Sequence, residues 1–169
     1  MSFKDIELKK EFIKYFGEEA WNEEEIISIY QDVVFVVCSD YLGIEPIPVV
    51  FDKLDGEVAR YDFKLQAIIL NRKYKNNYIE LLDSTLHELE HHWQRLYISN
   101  FNTPKAMRWK KELEKYNPSD VTQEIEIDAY AFAQVIGNCE FGINYKCEDP
   151  LLQKLVEDYI QSGKILNDN

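Results

Sequence analysis

Thr85-Leu86-His87-Glu88-Leu89-Glu90-His91-His92-Trp93 is the stretch on which the reading of the whole chain turns. His87 to His91 have the form HExxH. On a helix, residues four apart share a face, so both imidazoles reach one metal ion while Glu88 lies beside them. Neutral imidazole suits zinc, which in catalytic sites usually takes three protein ligands and leaves one position for water. Zinc draws that water's pKa towards neutrality. Glu88, one residue after the first ligand, is placed to take the proton and pass it to a leaving amine. The pattern predicts a zinc site with its general base.

The plain alternative is a solvated helix face that carries two histidines and two glutamates by chance. The surroundings argue against it. All three histidines of the chain fall in this stretch, and Leu82, Leu86, Leu89, Trp93 and Leu96 recur around it at helical spacing. The motif therefore sits on a helix with one buried side.

The 169 residues fit one domain, 1–169, large enough for a self-sufficient core. The formal net charge of −12, with no basic run, opposes binding to phosphate backbones or anionic membranes, so neither nucleic acid nor membrane is an expected partner. Cys38, Cys139 and Cys147 are an odd count without a CxxC pair, which predicts thiols in a reducing compartment. The N-terminus lacks the apolar core of a signal peptide, and Val33 to Val37 is too short to span a bilayer, so the expectation is a soluble, cytoplasmic protein.

From the N-terminus, Ile6, Phe12, Ile13 and Phe16 among charges, with Gly17 as a stop, predict an amphipathic helix over residues 3 to 16. A second helix opens on Asn22 as cap, with Glu23 to Glu25 at its positive end, and closes at Gly43. Pro46 and Pro48 then bar a helix, and Ile47 to Phe51 reads as a short edge strand. Glu57 to Asp62 and Gln66 to Asn71 read as a hairpin whose apolar second run is central. The metal helix spans about Tyr78 to Ile98, and Lys105 to Tyr116 reads as a charged, solvent-facing helix. A further helix is expected from a Ser119 or Asp120 cap to Gly137. The last has Asp149 as cap, Pro150 in its first turn, an apolar face from Leu151 to Ile160, and Gly163 beyond.

A third ligand must be a carboxylate unless His92 serves, and His92 is turned about 100° from His91, away from the same ion. Glu124, Glu126 and Asp128 are on offer. Glu126 is best placed, because Ala129 and Ala133 lie on its own face and let a second helix approach closely; Glu124 is the alternative.

His87-Glu88-Leu89-Glu90-His91, followed by Glu126-Ile127-Asp128-Ala129-Tyr130-Ala131-Phe132-Ala133, resembles the gluzincin metallopeptidases, in particular the ImmA/IrrE family. The likeness covers roughly residues 45 to 136. It implies an α+β, zincin-like fold, with a small mixed or antiparallel sheet packed on a metal-binding helix and additional helices around it. It also implies Zn2+ held by His87, His91 and Glu126, with Glu88 as base. Two features depart from the family. Tyr130 stands where gluzincins often have a small acidic or amide residue that orients a ligand histidine. Members often act with a helix-turn-helix unit, of which this acidic chain shows no segment.

The oxyanion of a tetrahedral intermediate needs a donor besides zinc, and Tyr130, Tyr61, Arg60 and Tyr97 are the candidates. The expected activity is hydrolysis of peptide bonds in a protein or peptide substrate, laid as an added strand along Glu57 to Asp62. The rival is a non-catalytic interaction protein on a zincin scaffold, its acidic surface meeting a basic partner. Glu88, which binds no metal, separates the two.

Overall fold

Asn22 opens the first described helix, α1 (Glu23–Val37), through a reciprocal capping box. Its side chain accepts from the Glu25 N–H at 3.0 Å, and the Glu25 carboxylate accepts from the Asn22 N–H at 3.0 Å. The computed structural model describes residues 22–117, 120 and 122–165, so the helix expected over residues 3 to 16 lies outside the described residues. At its end α1 widens into a π turn, Cys38–Leu42, and stops at Gly43, whose φ of 64° is the left-handed conformation expected of a glycine stop.

Gln31 fastens α1 to the sheet: its amide donates to the Ile47 carbonyl at 3.0 Å and accepts from the Val49 N–H at 2.9 Å. Three strands follow, β1 (Val49–Asp52), β2 (Ala59–Asp62) and β3 (Ala67–Asn71), in the order β1-β3-β2. β3 pairs parallel with β1, Val49 opposite Ile68, and antiparallel with β2, Tyr61 opposite Ile68. All five β3 residues are buried, as a continuous apolar run requires, and both neighbours are edge strands. Asn71 closes the β1–β2 connection by donating to the carbonyls of Leu54 and Glu57.

The remaining helices are α2 (Tyr78–Asn100), α3 (Pro104–Glu114), α4 (Glu124–Phe141) and α5 (Pro150–Gln161). Leu82, Leu86 and Leu89 of α2 enter one core with α1, β3 and Phe132, Ala133 and Ile136 of α4. The molecule is thus a mixed α+β fold, a small three-stranded mixed sheet set among helices. No helix among the described residues is long and apolar enough to cross a membrane.

Several boundaries differ from the sequence reading. α4 begins at Glu124 rather than at an Asp120 cap, and Ser119 lies outside the described residues. Its first N–H groups are capped from another helix: the Glu112 carboxylate of α3 accepts from Glu124 and Ile125, each at 3.0 Å. α4 also runs past Gly137 to Phe141, with Gly142 at φ 66° as its stop. Gly137 sits inside the helix where α2 passes close, a Cβ there lying 3.7 Å from Leu86 Cδ1. α3 is not simply solvent-facing, since Lys105, Ala106 and Trp109 are buried and Trp109 packs edge-on against Trp93 and Tyr97. The charges that outnumber this narrow stripe hide it in the sequence. On α5, Asp149 caps through the N–H groups of Leu151 and Leu152; Leu152, Val156 and Tyr159 are buried, while Leu151 faces out.

Candidate metal centre

His87 and His91 project from the middle of α2, one turn apart, towards the first turn of α4. Ala129 and Ala133, both buried, share a face of α4 with Glu126, and small side chains there leave room for α2 to pass close enough for Glu126 to reach both rings. His87 Nε2 lies 3.0 Å from His91 Nε2 and 3.4 Å from Glu126 Oε2, and His91 Nε2 lies 3.5 Å from Glu126 Oε1. The buried group His87, His91 and Glu126 could therefore hold a metal ion.

The electrostatics match a cation site. Burial alone would lower His91 and raise Glu126. Mutual contact outweighs it: Glu126, Glu88 and Gln94 bring the imidazole up to about 9, and the two histidines hold the Glu126 carboxylate well below its usual range. Each side thus stabilises charge on the other. Glu124, the alternative ligand, is turned to the surface, where Arg108 grips it through two bonds of 3.0 and 3.1 Å.

One glutamine sets the tautomer of His91. Gln94, one turn along α2, donates from Nε2 to the Ile125 carbonyl at 2.9 Å and to Asp128 Oδ2 at 3.0 Å. Those partners are acceptors, so its Oε1 faces His91 Nδ1, 2.8 Å away. An amide oxygen only accepts. In the neutral ring that binding an ion requires, the proton is therefore on Nδ1, and the lone pair of Nε2 is left for the ion. Asp128 is anchored in turn by the Tyr159 hydroxyl at 2.7 Å and by Lys105, 3.8 Å away and set over the Trp109 ring. Glu90, fully buried beside Asp128, is pushed well above its usual range by burial and that neighbour. His87 Nδ1 has no hydrogen-bond partner among the described residues; its ring is steadied by Tyr130, packed 4.3 Å away.

Glu88 lines, together with His87, His91 and Glu126, a cleft of about 460 Å3 bordered by the free edge of β2. The Tyr61 N–H donates to its Oε2 at 2.8 Å. The hydroxyl of Tyr61 lies 2.9 Å from His92 Nδ1, so His92 points away from the group formed by His87 and His91. Among the oxyanion candidates, Arg60 and Tyr61 line the cleft; Tyr130 and Tyr97 do not, Tyr97 being stacked on Trp93. The residue missed in the sequence is Tyr116, just past α3, which lines the cleft and donates to Glu126 Oε1 at 2.9 Å. No spacing signals it, because it meets Glu126 through the fold.

Compared with known proteins, the chain matches no family model, and neither a curated protein nor a solved structure is found to be similar to it. What the site can do follows from its own geometry.

Proposed function

We propose that the chain is a cytoplasmic zinc metallopeptidase of the gluzincin type, resembling the ImmA/IrrE family. The observation that carries this is the spacing of the three ligand atoms. Tetrahedral zinc with bonds of about 2.0–2.1 Å sets its donors about 3.3 Å apart; the two Nε2 atoms lie 3.0 Å apart, Glu126 brings one oxygen to 3.4 Å from His87 and the other to 3.5 Å from His91, and one ligand atom from each residue lies within 4.8 Å of the other two. Two neutral nitrogens and one carboxylate are also the donor set of open catalytic sites rather than closed structural ones.

A zinc ion held there supplies polarisation of a substrate carbonyl and a water acidic enough to attack near neutral pH. The chain's own residues do the rest. Tyr61 N–H keeps Glu88 turned into the cleft, where the carboxylate takes a proton from the attacking water and delivers it to the leaving amine. Tyr116 orients Glu126 by its hydroxyl, and Gln94 orients His91. Tyr61 lines the cleft, and with His92 Nδ1 as the donor between them its hydroxyl proton is left for the developing oxyanion. A peptide lies along β2, whose outer edge borders the cleft and has no strand beyond it among the described residues.

The test is cleavage of a mixed peptide library by the zinc-loaded protein, read by mass spectrometry beside Glu88→Gln. Zinc-dependent products absent from the variant are expected. A wild type with no more products than the variant would return the chain to the interaction-protein reading.

A further inference from the structure

The chain has four arginines among an excess of acids. Three are paired with a glutamate: Arg60 with Glu57 at 3.6 Å, Arg72 with Glu23 at 2.8 Å and Arg108 with Glu124 at 3.0 Å. Arg95 forms no ion pair among the described residues, and it lines the cleft. In a protein of net charge −12 an arginine without a carboxylate is an exception, and this one stands beside the candidate metal centre.

Its position is fixed from two sides. Arg95 follows His91 by four residues on α2, so it lies on the same face about 6 Å further along the axis. Its guanidinium carbon is 5.8 Å from the centroid of Phe63, an exposed ring that lines the same cleft from the β2–β3 turn. The acids of the cleft are otherwise engaged: Glu126 by both histidines and Tyr116, Glu88 by the Tyr61 N–H, and Glu57 by Arg60. A planar fork with five donors, held open to a peptide groove, matches a carboxylate.

We propose that Arg95 receives a substrate carboxylate, so that the cleft selects acidic peptides. The inference rests on the metallopeptidase reading for its cleaved bond. An extended peptide advances about 3.3 Å per residue, so the carboxylate belongs within about two residues of that bond. It comes from an Asp or Glu side chain or from the C-terminus of a short peptide.

The experiment uses fluorescent peptides of one length that carry Asp and Glu, or Asn and Gln, on either side of the central bond, each with a free or an amidated C-terminus. Binding is read by anisotropy on zinc-loaded Glu88→Gln, and cleavage on the zinc-loaded wild type. Acidic peptides should bind and be cleaved about tenfold to a hundredfold better than their amides, the range of a charge-assisted hydrogen bond. Adding salt should shrink the ratio, since the guanidinium is exposed. Arg95→Gln, on the Glu88→Gln background for binding, should bring the ratio near one, Arg95→Lys should keep part of it, and Arg95→Glu should favour lysine instead. Thermal melting checks that each variant is folded. Sensitivity to amidation of the C-terminus, rather than to Asp→Asn, assigns the carboxylate to the chain end. A ratio of one with the native arginine, a ratio unchanged in Arg95→Gln, or no binding of any acidic peptide overturns the proposal. An acid preference in binding without cleavage by wild type would sink the hydrolase reading and leave Arg95 as the carboxylate receptor.

Discussion

The backbone N–H of Tyr61 donates to Glu88 Oε2 across 2.8 Å, joining the free edge of β2 to the one residue of the His-Glu-His motif that is not part of the ligand group. The bond separates the work of Glu88 from metal binding. Glu88→Gln keeps an oxygen for Tyr61 N–H, so folding and zinc content should be unchanged. Peptide hydrolysis should fall about a hundredfold to ten-thousandfold, the usual loss of a general base. Metal analysis and kcat/KM on the same preparations check this, and zinc lost together with activity would contradict it.

Glu126 and Glu124 lie two residues apart and have different neighbours, the histidines for one and Arg108 for the other. Glu126→Gln should weaken zinc by one or more orders of magnitude, because a charged ligand is lost from a buried site. Glu124→Gln should leave zinc affinity unchanged and lose only an exposed ion pair. Chelator competition measures both, and the reverse result would exchange their roles.

Gln94 offers a test of the tautomer argument. Gln94→Met keeps the bulk but removes the acceptor from His91 Nδ1, and zinc affinity should drop about tenfold to a hundredfold, as for other outer-shell partners of a ligand histidine. Equal affinity in a folded variant would show that His91 needs no such partner.

The three cysteines should react in a fixed order. None is in a disulfide. Burial pushes the Cys38 thiol up to about 12 and the Cys147 thiol to about 11, so little of either is thiolate, the reactive form, at pH 8. Cys139 is exposed and should be alkylated first, with Cys38 slowest. Mass spectrometry of iodoacetamide-treated native protein reads the order. Denaturation without reductant should release all three.

Gly137 marks the close passage of α2 and α4, yet a Cβ there meets Leu86 Cδ1 at an ordinary 3.7 Å. Gly137→Ala should therefore stabilise by about 0.5–1 kcal/mol through helix propensity, raising Tm by about 1–4 °C for a chain of this size. Gly137→Leu, with no room for its branches, should lower Tm. A fall with alanine would mean that the helices already touch.

The sequence by itself determined what is local. The cap at Asn22, the stop at Gly43, the apolar β3 run and the pairing of His87 with His91 on one helix face each depend on residues within a turn or a strand of one another. Such interactions carry a period or a spacing that can be read directly. Tertiary structure decided whatever joins distant elements. The carboxylate that reaches the histidines, the glutamine between His91 and Asp128, the Tyr116 hydroxyl on Glu126 and the Glu112 cap on α4 all cross between segments. The sequence reading favoured Glu126 because small residues follow it, but it had no means to find Tyr116 or Glu112. Nor could it tell which arginine lacks a partner, since four arginines among 31 acids look alike until folding assigns three of them a glutamate. The crossing of α2 and α4 sets these contacts, and that crossing is fixed by how their side chains interlock, a property of two surfaces together and of neither segment alone.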